Sequence, residues 1–344
     1  MAYPFRIWIK LLFFKKIDMH NILITGANGY MGQQLIKRLV PLQGVIFDKI
    51  IALDIRFSEN LIELNQLICI EKDIRSKELG AIMQENNIDV VVHLAAIIST
   101  PDKSDREKEY DIDVNGTRNL VDACIESGVM KFITTSSGAA YGYHSENVNQ
   151  WLSEEDPIRG NYEFTYSHHK RLVEELLAEK RTTHPELQQF IFRVGTILGK
   201  TTKNPITEYL EKPKVLELKG YPSPFVFIWD QDLAEILLKA ATNGKPGIYN
   251  VAGDGCLTVK EVAAMMGKKN QTIPGWLIKT IFGILHPLKL SKYDAFIVNF
   301  IQYRPVLSNE KLKREFGYIP EKTSKQVFEF YLKENVNRLE NNGK

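Results

Sequence analysis

Two hydrophobic rhythms alternate along this chain. Short apolar runs rich in β-branched residues are separated by longer stretches in which apolar side chains recur every three or four positions. The short runs are His20–Thr25 (HNILIT), Lys49–Leu53 (KIIAL), Leu67–Glu71, Asp89–His93 (DVVVH), Lys131–Ser136 (KFITTS) and Phe190–Val194. Between them lie helical patterns such as QQLIKRLV after Gly32, Leu79–Asn86, and RLVEELLAEK after Lys170. This order predicts an α/β fold on a doubly wound parallel sheet, whose ligand crevice lies outside the carboxyl ends of the strands. Asp89–His93 alternates nowhere except at its ends, as expected of a strand covered on both faces.

The first strand runs into Gly26-Ala27-Asn28-Gly29-Tyr30-Met31-Gly32 and then into a helix. Glycines here permit a tight turn, close approach of the backbone to a pyrophosphate, and close strand–helix packing. The helix N-terminus adds unpaired N–H groups and a positive dipole end. The next strand ends at Asp54, 22 residues after Gly32, where an acidic side chain accepts hydrogen bonds from an adenosine ribose. That favours NAD, and Arg56 close by leaves NADP as the alternative.

Further along, the strand Lys131–Ser136 opens into Ser137-Gly138-Ala139-Ala140-Tyr141, and Tyr166-Ser167-His168-His169-Lys170 opens a helix. Tyrosine and lysine at i and i+4 share one helical face. A phenol titrates near ~10, and a neighbouring ammonium favours its phenolate. A serine hydroxyl beside the phenol can hold a carbonyl or alcohol while the proton moves.

Composition adds bounds. The 344 residues, 44% hydrophobic and 25% charged, suit about two well-cored domains. With 44 Lys and Arg against 42 Asp and Glu, the net charge of +2 gives no field that would call for a nucleic-acid partner. Cys69, Cys124 and Cys256 are widely spaced, which encodes neither a disulfide framework nor a cysteine zinc site and suits a reducing, cytoplasmic setting. No metal site is expected: nothing completes a ligand set around His168 and His169, which are assigned to a partly solvated helix face. His93 is expected to satisfy backbone groups at its strand end. Residues 1–18 carry Arg6, Lys10, Lys15 and Lys16 against Asp18. They are expected to be a loosely packed extension or an artefact upstream of a natural start at Met19. The alternative is a basic amphipathic helix touching a membrane surface through Phe5, Trp8, Leu11 and Leu12.

In its motifs the sequence resembles the short-chain dehydrogenase/reductase superfamily, and within it the extended branch of NAD-dependent epimerase/dehydratases. The pieces that carry the resemblance are TGANGYMG, ALD, Asp73-Ile74, VVHLAA, DVNGTRNLVDAC, TTSSGAAYG, YSHHK, FRVGTILG, FIWDQDLAEI and GIYNVAGDG, spanning about Asn21 to about Thr323. The resemblance implies a Rossmann sheet and a smaller C-terminal α/β substrate domain. The dinucleotide-binding domain would take residues 19–195 and 225–251, and the substrate domain 196–224 and 252–335. It implies that Gly26, Gly29, Tyr30 and Met31 bind pyrophosphate, Asp54 the ribose, and Asp73 and Ile74 the adenine border. Leu94, Ala95 and Ala96 would line the cofactor, and Asn115 would support the active-site helix. Ser137 would orient substrate, Tyr166 act as acid and base, and Lys170 lower the phenol pKa and bind ribose.

Three departures bear on the substrate. Gly138-Ala139-Ala140 stands where dehydratases of this kind carry an Asp-Glu pair. Arg193–Gly199 lacks the asparagine that holds a diphosphate, and Trp229 replaces a histidine. The expected activity is NAD(P)-dependent hydride transfer at a secondary alcohol or ketone of a small molecule. The alternatives are a nucleotide-sugar epimerase with tightly held NAD, and a cofactor-binding scaffold or sensor without turnover. A homodimer through a helical face is expected. Thr258 with Glu261 predicts a capping box opening Leu257–Met266. Trp276–Leu290 and Tyr293–Tyr303 predict two apolar helices that cover the crevice as core, wall a dry pocket for an apolar substrate, or face an oligomer or membrane. Arg304 either meets an anionic substrate or forms a surface ion pair.

Overall fold

A computed structural model describes residues 19–98, 105–212, 214–288, 290–291 and 295–335; the expectations for residues 1–18 lie outside the described residues. In chain order the strands are β1 (His20–Thr25), β2 (Phe47–Asp54), β3 (Leu67–Glu71), β4 (Val90–His93), β5 (Lys131–Ser137) and β6 (Gln188–Val194). They are followed by β7 (Thr196–Leu198), β8 (Val215–Leu218), β9 (Phe227–Trp229), β10 (Gly247–Val251) and β11 (Asn270–Ile273). The helices begin with α1 (Tyr30–Leu39), α2 (Glu59–Ile62), α3 (Leu79–Glu85), α4 (Arg106–Tyr110), α5 (Gly116–Glu126) and α6 (Thr165–Thr183). After these come α7 (Pro205–Glu211), α8 (Asp230–Thr242), α9 (Val259–Met265), α10 (Gly275–Leu285), α11 (Ile297–Gln302) and α12 (Ser324–Glu334).

Seven strands form one parallel sheet in the order β10-β6-β5-β4-β1-β2-β3. Strand order reverses between β1 and β4, which opens a crevice at their carboxyl ends. The period-two geometry of a strand distributes the apolar side chains to both faces. Ile22 and Ile24 pack toward Leu35 and Leu39 of α1 and Leu233 and Leu237 of α8. Leu23 packs on the other side, with Met83 of α3, Leu120 of α5 and Leu177 of α6. Val90, Val91 and Val92 are fully buried, as a strand covered on both faces requires.

A further apolar cluster joins Leu198, Val215, Phe225, Phe227, Val262 and Phe328 beside the sheet. There the capping box expected at Thr258 forms, with its hydroxyl accepting from the Glu261 amide and the Glu261 carboxylate accepting from the Thr258 amide. The apolar helix expected over Trp276–Leu290 stops at Leu285, shortly before Pro287, whose ring cannot continue a helix. The second is shorter too, Ile297–Gln302, and Tyr293 lies outside the described residues. Among the described residues, no helix is long and apolar enough to cross a membrane.

Candidate functional site

The turn from β1 into α1 admits glycine for a steric reason. Gly26 has φ +68°, and a Cβ there would lie 2.6 Å from the Ala95 amide nitrogen. Gly29 caps α1 without any side-chain bond, so the amides of the first turn stay available to an anion. Asp54 fastens this turn to β2: its carboxylate accepts from the Asn28 amide (2.9 Å) and from its neighbour Ile55 (2.7 Å). The Tyr30 hydroxyl donates to Asp230 at the start of α8 (2.5 Å). Burial and that carboxylate push the phenol up to about 12, so it stays a donor. Asp73 is engaged by Arg75, which also pairs with Asp111, and these contacts hold the Asp73 carboxyl below its usual range. Ile74 is buried, and a Cβ on Gly116 would press into it.

At the carboxyl ends of the strands lies a cavity of ≈ 720 Å³. Gly26, Gly29, Tyr30, Met31, Leu94 and Ala96 line one part of it, and Ser137, Tyr166 and Lys170 line another. Two bonds set the second group. Ser167 donates to the Ala139 carbonyl (2.7 Å), which clamps the start of α6 onto the turn after β5. Lys170 donates to the Thr135 carbonyl (3.0 Å), which places its ammonium 5.6 Å from the Tyr166 ring centre. Ser137 itself accepts from the Ala139 amide (3.1 Å). Ser137, Tyr166 and Lys170 thus line one part of a single cavity.

Asn115 does not join them. It is exposed and donates to Asp111 (3.1 Å), in a wide turn over Asp111–Asn115 that feeds α5. Asp113, buried two residues earlier, is the residue of this turn that faces α6. Asp113 accepts from the Ile97 amide (3.0 Å), and its other oxygen lies 3.8 Å from His169 Nδ1. His169 is therefore buried, not solvated, because its helix face packs on this turn and on the edge of Tyr110.

His93 bonds to side chains rather than to backbone. Thr117 donates to the Asp113 carbonyl and so accepts from His93 Nε2 (3.0 Å), which leaves Nδ1 to accept from Thr25 (2.7 Å). That network suits a neutral ring. Burial, with a smaller push from Lys170, draws its pKa to about 3, against a weaker pull from Asp113. The sign of the pH effect follows. Below ~6.5 the unfolded chain binds a proton that folded His93 refuses, so this residue makes stability fall as pH drops, until pH nears 3. The slope is up to about 1.4 kcal/mol per pH unit. Urea midpoints between pH 7 and 4.5 should fall more steeply in the parent chain than in His93→Gln.

The remaining cavity wall is mixed: Phe225, Ile278, Phe282, Ile297 and Ile301 give it an apolar part, and Lys203, Asn204, Glu208 and Lys212 line it as well. The two apolar helices do cover the crevice, while Trp276, Ile281 and Ile284 of α10 face outward. Among the described residues Arg304 has no ion-pair partner. It is buried and lines the cavity. Ser136, the neighbour of Ser137, donates to Glu174, and Glu174 holds Arg193 in a buried pair (2.8 Å) that the sequence pattern did not reveal. The available signal was an arginine inside the apolar strand QQFIFRV.

A model described as the NAD dependent epimerase/dehydratase family matches residues 22–252. An uncharacterised protein of Mycobacterium bovis is 23% identical over 318 residues, 91% of this chain and 83% of that protein. The 3 beta-hydroxysteroid dehydrogenase type 7 of Rattus norvegicus is 27% identical over 163 residues, 46% of this chain and 47% of that enzyme. Among solved structures, the Thermus thermophilus UDP-glucose 4-epimerase complex with NAD has TM-score 0.69 at 20% identity, over 91% of this chain and 98% of that one. At that identity the likeness is one of fold.

Proposed function

This chain belongs to the NAD dependent epimerase/dehydratase family, and from that premise we propose that it is an NAD-dependent oxidoreductase acting at a secondary alcohol or ketone. The observation that carries the proposal is the meeting of Ser137, Tyr166 and Lys170 with the glycine turn in one cavity. The turn fits a dinucleotide: Gly26 leaves room that a Cβ would fill, and the uncapped amides of α1 suit a pyrophosphate. Asp54 would meet the adenosine ribose with lone pairs not used by Asn28 and Ile55. Asp73 and Ile74 would border the adenine, and Lys170 would hold the second ribose. When bound, NAD accepts or supplies hydride. The chain does the rest. Ser137 holds the substrate oxygen, Tyr166 takes the alcohol proton or returns it, and the Lys170 charge stabilises the phenolate. Residues 196–224 and 252–335 would form the substrate side.

Native mass spectrometry of the purified chain with NAD added should show one NAD per chain, and Gly26→Ala should abolish it. An intact chain with no dinucleotide would overturn the proposal. The fold of the Thermus thermophilus epimerase favours a second reading, nucleotide-sugar epimerisation. The two differ in a simple measurement: an oxidoreductase accumulates reduced nicotinamide, whereas an epimerase shows no net absorbance change.

A further inference from the structure

Arg304 follows α11 and is 7% exposed. Its guanidinium lies 3.7 Å from the Phe225 ring centre and 5.3 Å from that of Phe300. Among the described residues neither Nε nor Nη1 has a hydrogen-bond partner, and no carboxylate forms an ion pair with the group. Burial draws the group down to about 10, which leaves it charged at neutral pH, with only the Tyr209 and Tyr143 hydroxyls opposing that shift. A buried, unpaired charge weakens a fold. Its persistence beside an open cavity calls for an anion that arrives with a ligand.

The cavity it lines is the one that holds Ser137 and Tyr166. Tyr143 lines this cavity together with Arg304 and Tyr166, so one ligand in it can face both groups. Ile278, Phe282, Ile297 and Ile301 present an apolar face that suits an alkyl body, while Lys203, Asn204 and Lys212 line the same cavity elsewhere. A guanidinium stacked on an aromatic ring keeps its planar fork free for a carboxylate.

We propose that the substrate is an amphipathic carboxylic acid whose carboxylate pairs with Arg304, whose apolar body lies against α10 and α11, and whose secondary alcohol or ketone meets Tyr166. This rests on the oxidoreductase reading above. The redox step balances within it: in oxidation the carbinol C–H bond gives hydride to oxidised nicotinamide, the O–H proton passes to the Tyr166 oxygen, and a C=O bond forms. The carboxylate is not consumed.

Calorimetric titration of the full chain with octanoate, 1-octanol and UDP-glucose tests the proposal without turnover. Octanoate should bind at least about 10-fold tighter than 1-octanol, the advantage of a charge-assisted pair. Arg304→Gln should erase that advantage and leave 1-octanol unchanged, while Arg304→Lys should keep part of it. If Arg304→Gln does not fold, Ile297→Asp serves, since a carboxylate on the apolar wall should weaken octanoate by about 10-fold or more. Equal binding of octanoate and 1-octanol by the parent chain would overturn the proposal. So would indifference of octanoate to Arg304→Gln, or UDP-glucose binding tighter than octanoate and depending on Arg304. NAD titrated separately keeps the outcomes apart: octanoate failing with NAD bound condemns this proposal alone, and NAD failing condemns the reading beneath it.

Discussion

Tyr166→Phe is expected to lower turnover by about 10²–10⁴-fold, the usual worth of a positioned acid–base group, with NAD binding nearly unchanged. The substitution removes one oxygen and keeps the ring that packs beside Lys170. Lys170 keeps its bond to the Thr135 carbonyl, so the ammonium stays in place. Ser167 still clamps α6 to the Ala139 carbonyl, so the backbone of the site should not move. What disappears is the hydroxyl proposed to give or take the alcohol proton. Appearance of the reduced-nicotinamide band, with whichever alcohol the parent chain oxidises, measures the loss. Unchanged turnover would place the acid–base group elsewhere.

The second large effect belongs to stability. Arg193→Leu is expected to cost about 3–5 kcal/mol, because it strands Glu174 as a buried charge. In the folded chain Glu174 accepts two bonds from Arg193 Nε (3.1 and 3.0 Å), one from Nη2 (2.8 Å) and one from Ser136 (2.5 Å). Arg193 Nη1 is met by the Tyr141 hydroxyl (2.9 Å). Burial works against the guanidinium charge, and Glu174 more than restores it, so Arg193 is held above its ordinary range. Replacing both partners by leucine should cost less than the single change, since no charge is then left unpaired. Urea unfolding of the two single variants and the double variant measures the coupling. Additive losses would mean that the pair contributes nothing as a pair. Because Ser136 binds the same carboxylate one residue before Ser137, the single variants should lose turnover as well.

Much of this site was legible in the sequence, for a local reason. The glycine turn is a strand end, a glycine and a helix start within a few residues, and each leaves its own mark on the pattern. Tyr166 and Lys170 are one helical turn apart, so helix geometry alone sets them side by side. At Asn115 local geometry is not enough. Two residues along a helix differ by about 200° in direction, so the choice between Asp113 and Asn115 depends on a wide turn that no motif announces. The missing asparagine in Arg193–Gly199 and the tryptophan at position 229 raised the prospect of a smaller or more apolar substrate. They did not say which surfaces would wall it.

The periodicity of the chain determined the doubly wound sheet, the position of its crevice, the glycine turn at its first strand end and the shared helical face of Tyr166 and Lys170. Each follows from spacing within a strand, a turn or a helix, or from the order of those elements. Tertiary structure alone decided the burial of Arg304 against Phe225, the Glu174–Arg193 pair and the pocket of His93 between Thr25 and Thr117. Those contacts join residues far apart in sequence. Whether a charged or polar side chain there meets water, a partner or an empty cavity is fixed by which elements pack together, and hydropathy patterns carry no record of that choice.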